Sequence, residues 1–251
     1  MKQRIQKVLA NRGVASRRNI EQMVREGRVQ VNGKTLTELP VLIDPEKDKV
    51  EVDGERVKLG TPKTERRYYF LLNKPRGVYS TNVSQGVQTR AIDLLPRNLP
   101  ARLYPVGRLD AESKGLLLLT NDGELTNLLT HPRYGVPKTY RAVVDGYVGP
   151  EVLEQLQKGV WLADKAGEGF KTARSRIRVV HQSRQQSILE IMIREGRNRQ
   201  VRRVLAKLGH KVKDLTRIRL GPLTLEGLGL GRFRELTARE VKELRKSVHK
   251  S

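Results

Sequence analysis

The sequence predicts an α+β protein that consists of a small N-terminal module and a larger domain of strands and helices. Two helical patterns and a hairpin pattern lie near the N-terminus, and short apolar runs alternate with helical patterns after Tyr68. A polar stretch that contains proline separates these two parts. We therefore predict a module over residues 1–60, a linker over 61–67, a main domain over 68–240 and a C-terminal helix end with a basic tail over 241–251.

The N-terminal module has a helix, helix, hairpin order. An apolar repeat that begins at Ile5 predicts a first helix, which stops at Gly13. Ser16 is placed to cap a second helix that ends at Gly27. The Asn32-Gly33 dipeptide lies between two alternating apolar runs, and this pattern is typical of a type I′ hairpin turn.

The same module is strongly basic. Residues 4–34 contain eight arginine and lysine side chains and only two glutamates. Arg17 and Arg18 fall in the first turn of the second helix, where the helix dipole disfavours cations unless an anion neutralises them. We predict that RNA phosphates are bound near Ser16, Arg17, Arg18 and Lys34. The alternative is an ordinary solvated helical surface.

The main domain is predicted from its apolar runs. Four short runs have the length of strands, and they lie at Tyr69–Leu72, Leu116–Leu119, Tyr140–Val144 and Ile188–Ile193. Asn121, with Glu124 three residues later, predicts a capped helix after the second run. Thr237 and Glu240 form the same kind of capping box and predict a final helix over 238–247.

Composition restricts the class of protein. The formal net charge is +23 on 251 residues, and such an excess favours a polyanionic partner, above all nucleic acid. The absence of cysteine excludes disulfides and thiolate chemistry. No apolar run is long enough for a membrane span, and the N-terminus lacks the pattern of a signal peptide, so we expect a cytoplasmic location. A ribosomal or architectural protein and an enzyme that acts on RNA both remain possible from composition alone.

The densest motif is the stretch GRLDAESKG at residues 107–115. It delivers Asp110 in a loop, with Arg108 two residues earlier and a buried strand directly after the motif. An aspartate in a loop is usually a turn or cap residue, and Asp122 is a good example of that role. Asp110 differs because the following strand would hold its loop rigid. Glu112 is a poor second carboxylate, because side chains two residues apart in a turn need not converge.

A second motif, EGRNRQVRRVL, lies at residues 195–205. Its apolar positions form one face of a helix, and Arg202 lies on the border of that face, from which a guanidinium can turn into a cleft. Arg197, Arg199 and Arg203 are better placed for RNA phosphates. Residues 171–220 contain fifteen basic and three acidic residues, which supports RNA binding by this segment.

Other kinds of site are poorly supported. The four histidines share no metal-ligand spacing, and the sequence contains no G-x-S-x-G elbow, no Walker loop and no G-x-G-x-x-G. The glycine-rich stretch 227–231 has the wrong spacing for a dinucleotide. We therefore predict no metal and no cofactor.

Two resemblances sharpen this interpretation. Residues 13–18, GVASRR, resemble the signature of the S4 RNA-binding domain. The motifs LLNKPRGV, GRLDAESKGLLLLTNDGELTNLLTHP, KTY and EGRNRQVRR together resemble the RsuA/RluB-type bacterial ribosomal RNA pseudouridine synthases, over about residues 2–245. The chain is most similar to the RluB-type branch, which modifies 23S rRNA.

The resemblance implies particular roles. It places the catalytic aspartate at Asp110, the active-site tyrosine at Tyr140 and the arginine that pairs with the aspartate at Arg202, with Arg108 beside the target nucleotide. It also implies a largely antiparallel mixed sheet with a central cleft, a monomer, and no metal or cofactor. The expected reaction isomerises uridine to pseudouridine and needs only one carboxylate. A covalent adduct and a glycal intermediate remain alternatives.

The expected partner is ribosomal RNA, 23S rRNA or a large-subunit assembly intermediate. A synthase of the same family that acts on 16S rRNA or on another 23S site is one alternative. A ribosome-assembly factor that binds RNA without catalysis is the other, although such a binder gains nothing from a carboxylate directed at RNA.

Overall fold

The computed structural model describes residues 2–59, 66–84, 86–96, 98–163 and 167–248. The chain divides into two compact units, one that reaches to residue 67 and includes 100–102, and one that contains the rest. Each unit has its own apolar core. The predicted domain boundaries stay predictions. Most of the predicted linker, at residues 60–65, and the end of the basic tail, at 249–251, lie outside the described residues.

The first unit consists of two helices and a small antiparallel sheet. Its elements are β1 (Gln3–Arg4), α1 (Ile5–Asn11), α2 (Arg17–Arg25), β2 (Val29–Val31), β3 (Lys34–Leu36), β4 (Leu42–Ile43), β5 (Val50–Val52) and β6 (Glu55–Val57). The sheet has the order β3-β2-β5-β6, and β1 pairs with β4. Ile5 and Leu9 of α1 and Ile20 and Val24 of α2 are fully buried in one core with the strands. Both helices are therefore held by their apolar faces.

The predicted helix, helix, hairpin order of this unit is confirmed. Ser16 is the N-cap of α2, and its Oγ accepts a hydrogen bond from the N–H of Asn19 at 3.2 Å. Asn32 and Gly33 join β2 to β3 with φ angles of 53° and 80°, which is the backbone of a type I′ turn. Local side-chain chemistry is sufficient to specify these elements.

The second unit is a long sheet with helices packed on it. Its elements are β7 (Tyr69–Lys74), β8 (Tyr104–Pro105), β9 (Lys114–Thr120), α3 (Gly123–Thr130), β10 (Lys138–Asp145), α4 (Pro150–Lys158), β11 (Trp161–Ala163), β12 (Gly169–Lys171), β13 (Arg176–Gln182), β14 (Gln186–Ile193), α5 (Gln200–Lys207), β15 (Val212–Leu220), β16 (Leu223–Thr224), β17 (Phe233–Glu235) and α6 (Ala238–Val248). The main strand order is β13-β14-β10-β15-β9-β7-β17. Neighbours in this order are antiparallel except β15 and β9, which are parallel. The α+β class and the four predicted strands are confirmed.

The parallel contact between β9 and β15 is very close at Gly115. A Cβ atom at this position would lie 2.3 Å from the carbonyl oxygen of Arg217 and 2.8 Å from its backbone nitrogen. The φ angle of Gly115 is +105°, a value that L-amino acid residues with a side chain rarely adopt. The chain that leaves the Asp110 loop therefore runs directly along the backbone of Arg217, and only glycine permits it.

The start of α3 differs from the prediction by one residue. Asp122 is the N-cap, and its Oδ1 accepts hydrogen bonds from the N–H groups of Glu124 and Leu125 at 3.1 and 3.0 Å. The side chain of Asn121 instead accepts the N–H of Tyr68 at 2.9 Å. The predicted capping box at Asn121 is wrong because the chain entering β7, distant in sequence, occupies that side chain.

The last helix, α6, begins as predicted. The N–H of Thr237 donates to the Glu240 carboxylate at 2.9 Å, and the N–H of Glu240 donates to the Thr237 hydroxyl at 3.2 Å. These reciprocal bonds form the predicted capping box. Neither α6 nor any other helix in the described part of the chain has the length and apolar character that crossing a membrane requires.

Candidate active site

The second unit contains a cleft with a volume of about 320 Å³. The loop between β8 and β9, strands β10 and β15, and the segment that leads into α5 form its wall. Its charged lining side chains are Arg108, Asp110, Lys138, Arg197, Arg199 and Arg217. Five cations thus surround one carboxylate. Among the residues that the structure describes, no group of three or more histidine, aspartate or glutamate side chains is arranged to hold a metal ion.

Asp110 lies in a loop that hydrogen bonds hold in place. The N–H of Ser113 donates to the carbonyl of Asp110 at 3.0 Å. The buried hydroxyl of Ser80 accepts the N–H of Leu109 at 3.2 Å and donates to the carbonyl of the same residue at 3.0 Å. The Asp110 side chain is 28% exposed. Its carboxylate is therefore accessible from the cleft while its backbone is fixed.

Arg199 forms the ion pair with Asp110. Its Nη1 lies 3.7 Å from Oδ2 of Asp110, and its Nη2 lies 3.1 Å from Oε2 of Glu112. Arg199 is the N-cap of α5 and has a φ angle of 48°, in the left-handed region that is uncommon for residues other than glycine. The guanidinium of Arg199 thereby bridges two carboxylates of the Asp110 loop.

The hypothesis of an Arg202–Asp110 ion pair is wrong in this structure. Nη1 of Arg202 donates to the carbonyl of Val212 at 3.1 Å, and its Nε lies 4.0 Å from Oε2 of Glu112. The Arg202 side chain is 11% exposed, and burial lowers its pKa. The first turn of α5 places Arg202 against the start of β15, and Arg199 reaches Asp110 instead. The catalytic role of Arg202 stays a prediction.

Tyr140 lies in the middle of the sheet, in the wall of the cleft. On β10 it is directly opposite Arg217 of β15 on one side and Ile191 of β14 on the other. Tyr140 is buried by these neighbours and lines the cleft together with Asp110. The structure therefore brings together an aromatic ring and a carboxylate that lie thirty positions apart in the sequence.

Three cations near Asp110 were not predicted. Lys74 and Arg217 are buried, and Lys138 is half-buried. Lys74 is fully buried, and its Nζ donates to the carbonyls of Val78 at 2.8 Å and Pro75 at 2.9 Å. Burial lowers the pKa of Lys74 to about 8, although the charge of Asp110 opposes the change. Burial and the charge of Arg217 also lower the pKa of Lys138 to about 8.

A sequence pattern for these cations exists but is weak. Lys74 ends the apolar run of β7, and Arg217 follows Leu215 at an alternate, inward position of β15. A basic residue at an inward position of a strand must be buried, and buried cations are rare unless they are paired or functional. Strand alternation indicates Arg217 only weakly, because register shifts interrupt the alternation along β15.

The RNA-contacting residues predicted near the cleft have different surroundings. Arg108, Arg197 and Arg199 are exposed along its edge. Arg197 also lies over the ring of Phe170, with its guanidinium carbon 4.0 Å from the ring centroid. Arg203 is half-buried and donates a hydrogen bond to the carbonyl of Ala163 on β11. It is therefore less available to phosphate than the other three.

The RNA-contacting residues predicted in the first unit lie on its surface. Arg17, Arg18 and Lys34 are exposed, and within the described residues they form no ion pair. The Ser16 hydroxyl is already used by the helix cap, since it also donates to Oδ1 of Asn19 at 3.0 Å. The structure thus leaves three cations available to a ligand on this unit and gives Ser16 a structural task.

Comparisons with known proteins match both units. A family model described as RNA pseudouridylate synthase matches residues 68–207, and an S4 domain model matches residues 3–44. The chain is 45% identical to the ribosomal large subunit pseudouridine synthase B of Bacillus subtilis, over 97% of this chain and 96% of that protein. It is 44% identical to an uncharacterized RNA pseudouridine synthase of Aquifex aeolicus, over 99% of this chain and 96% of that protein.

A solved structure agrees with these sequence matches. The crystal structure of a pseudouridylate synthase covers 96% of this chain and 99% of its own, with a TM-score of 0.68 and 28% sequence identity. The likeness therefore extends over nearly the whole chain and includes the unit that contains the cleft.

Proposed function

The chain belongs to the RNA pseudouridylate synthase family, and from this premise we propose that it converts a specific uridine of 23S ribosomal RNA to pseudouridine, with Asp110 as the catalytic carboxylate. The observation that carries the proposal is the position of Asp110. It projects from a fixed loop into a cleft whose other charged lining residues are cations. The positive charge of such a cleft attracts a polyanion, and the single carboxylate in it can contact the reacting sugar.

The reaction exchanges one bond for another. The N1–C1′ bond breaks with its electron pair on uracil, the base turns, and C5 bonds to C1′. C5 then loses its proton and N1 gains one, so that no atom is added or lost overall. The Asp110 carboxylate stabilises or attacks the electrophilic C1′ and assists removal of the C5 proton. A covalent adduct and a glycal intermediate both fit this arrangement.

The neighbours of Asp110 have supporting roles. Arg199 orients the carboxylate through its ion pair at 3.7 Å, the task that the family resemblance implied for Arg202. A uridine within folded RNA must be flipped out of its stack at a cost of a few kcal/mol. The ring of Tyr140 stacks against the extruded uracil, and Arg108 at the exposed edge contacts the target nucleotide or its phosphate.

RNA binding is divided between the two units. The S4 domain match and the exposed cations Arg17, Arg18 and Lys34 support phosphate binding by the first unit. The exposed arginines Arg197 and Arg199 support it at the cleft. Their contacts with the backbone would offset the cost of flipping the base.

The proposed RNA target is supported by the name of a related protein. The Bacillus subtilis protein, 45% identical, is named a ribosomal large subunit pseudouridine synthase, and its name supports a target in 23S rRNA or in a large-subunit assembly intermediate. A target in 16S rRNA is the alternative within the family. We also propose that the protein acts as a monomer in the cytoplasm, where ribosomal RNA is made, and without a cofactor.

Pseudouridine mapping tests the proposal. The purified full-length protein is incubated with unmodified 23S and 16S rRNA and no added cofactor, and new pseudouridines are located in each. We expect one new site in 23S rRNA. Asp110→Asn should lose the modification and keep RNA affinity, because it removes the reactive oxygen and leaves the shape unchanged. The partly exposed Asp145, which pairs with Lys213, provides the matched control Asp145→Asn.

Each other outcome contradicts part of the proposal. A new site in 16S rRNA would show that the target lies in the small-subunit RNA. If neither RNA is modified although both bind in a salt-sensitive manner, the non-catalytic assembly factor would be favoured. If Asp110→Asn keeps more than about 1% of the wild-type rate, another group carries the reaction.

A further inference from the structure

Two cations at the bottom of the cleft have no task in the proposed function. Lys138 on β10 and Arg217 on β15 line the cleft, and Arg217 is only 2% exposed. We call these two residues the cleft floor, and the exposed Arg108, Arg197 and Arg199 the cleft rim. Within the described residues, neither floor cation forms an ion pair with a carboxylate. The floor therefore carries positive charge with which no carboxylate of the described residues is directly paired.

Arg217 is fixed in place but incompletely bonded. Its Nε donates to the carbonyl of Leu116 at 2.7 Å, whereas its buried Nη2 has no hydrogen-bond acceptor among the described residues. The close approach of Gly115 holds the Arg217 backbone as well. Buried donors in folded proteins nearly always have a partner. A guanidinium that is held rigidly with one donor unfilled indicates a site for an acceptor that arrives with a ligand.

Lys138 supports the same interpretation. Its Nζ donates to the carbonyl of Val136 at 3.1 Å, and its ammonium is destabilised by burial and by the charge of Arg217. Two like charges in a water-poor site repel each other unless an anionic or electron-rich group lies between them. A ligand with oxygen acceptors would therefore relieve the repulsion between the two floor cations.

Depth in the cleft decides which part of a nucleotide meets the floor. A flipped nucleotide enters with its base first, since its phosphates remain in the RNA backbone. The exposed rim arginines are therefore placed for phosphates. The floor cations, of which Arg217 is buried and Lys138 is half-buried, meet the far edge of the base, which in uracil carries the O2 and O4 carbonyl oxygens.

We propose that Lys138 and Arg217 bind the carbonyl edge of the flipped uracil and stabilise the negative charge that uracil carries after the N1–C1′ bond breaks. The proposal rests on the proposed function, since it needs that bond to break in this cleft. The electron pair of the bond spreads over N1, O2 and O4, and fixed donors in a site with little water stabilise it strongly. The charge disappears when C5 forms its bond to C1′, so the floor acts only between these two steps.

Paired changes in the protein and in the base test this contact. Single-turnover rates of pseudouridine formation are measured on an RNA fragment that contains the mapped uridine, or 2-thiouridine or 4-thiouridine at that position. Sulfur accepts hydrogen bonds poorly, so each thio-base removes one contact from the substrate side. The proteins are the wild type, Arg217→Met, Lys138→Met and the control Arg141→Met. Arg141 is exposed, pairs with Glu190 and lies on the opposite face of β10 from Tyr140.

We expect Arg217→Met to lower the rate on uridine about 10²- to 10³-fold, the usual effect of removing one donor to a developing oxyanion. RNA affinity should be unchanged, and Arg141→Met should behave as the wild type. One of the two thio-bases replaces the oxygen that Arg217 binds, and this base should slow the wild type. The same base should not slow Arg217→Met any further, because that contact is already lost. Lys138→Met should show the same loss of sensitivity at the other oxygen.

Two results would overturn the proposal. A purely structural role would lower the rate on all three bases by the same factor, and equal thio effects in wild type and variants would therefore exclude the contact. A loss of RNA affinity without a loss of rate would indicate that the floor cations bind phosphate and not the base.

If Arg217→Met does not fold, the thio-base effects on Lys138→Met, a change on the neighbouring strand, still test the contact. A wild type that forms no pseudouridine would contradict the proposed function itself, which distinguishes the two failures.

Discussion

The two units of this protein use positive charge in opposite ways. In the first unit, Arg17, Arg18 and Lys34 are exposed and form no ion pair within the described residues. In the second unit, Lys74 and Arg217 are buried, and each has at least one hydrogen bond to a fixed backbone carbonyl. Exposed cations attract any phosphate backbone and are screened by salt, whereas buried cations act on one group at one position. The exposed cations of the first unit are therefore suited to phosphate, and the buried cations of the second unit are suited to a single group at a fixed position.

The same contrast appears in the backbone. Gly54 in the first unit has a φ angle of +81°, and no atom lies within 4 Å of the position that a Cβ would occupy there, so it only closes a turn. Gly115 in the second unit has backbone atoms of Arg217 at less than 3 Å from the corresponding position. A side chain at Gly54 would therefore meet backbone strain alone, whereas a side chain at Gly115 would also overlap the backbone of a strand that is distant in sequence.

Substitution of these two glycines gives the largest expected difference. Gly115→Ala would force β9 and β15 apart and should lower the free energy of unfolding by about 3 kcal/mol or more, with loss of activity. Gly54→Ala adds only the cost of a left-handed residue, about 1–2 kcal/mol. Urea unfolding of both variants provides the measurement. Equal losses would show that the β9–β15 contact is not as close as described.

The helix caps of the two units provide the next comparison. Asp122 is buried and also accepts a hydrogen bond from the Tyr69 hydroxyl at 2.8 Å and pairs with Arg245, so Asp122→Ala leaves several groups unpaired. We expect a loss of about 3 kcal/mol. Ser16→Ala removes one cap at the surface and should cost about 1 kcal/mol. Thermal unfolding followed by calorimetry measures both, and a larger effect at Ser16 would contradict the comparison.

Removal of the surface cations Arg17 and Arg18 tests the first unit as a source of affinity. The double variant Arg17→Ala with Arg18→Ala should bind ribosomal RNA about tenfold more weakly, and the slope of log K against log salt should become shallower by about 1.5. The turnover rate at saturating RNA should be unchanged. Binding measured at several salt concentrations decides the point. An unchanged slope would show that these arginines do not contact phosphate.

The titration of Lys74 tests a buried cation of the second unit. Its pKa in the folded protein is about 8, below the ordinary value of 10.5, so between these pH values the unfolded chain binds more protons. The free energy of unfolding should therefore rise with pH in this window, by up to about 1.4 kcal/mol per pH unit from this group. Lys74→Met should remove that part of the slope. Identical slopes in wild type and variant, from urea unfolding at pH 8 to 10, would contradict the assignment.

Local features of the fold could be predicted from the sequence. The cap at Ser16, the Asn32-Gly33 turn and the Thr237–Glu240 capping box involve residues at most three positions apart. Their hydrogen bonds form within a few residues, so the amino-acid types alone specify them. The cap at Asn121 was wrong for the opposite reason, since its side chain bonds to Tyr68 on a distant part of the chain.

The candidate site divides in the same way. The sequence by itself determined that the chain is strongly basic, that Asp110 lies in a loop before a buried strand, and that arginines cluster before and within α5. Only the tertiary structure decided that Arg199 rather than Arg202 pairs with Asp110, and that Lys138 and Arg217 line the same cleft as Asp110. Pairing of β10 with β15 and of β15 with β9 brings these residues together from positions far apart in the chain. Strand register is set by the packing of the whole sheet, and the residues around Arg217 do not specify this register by themselves.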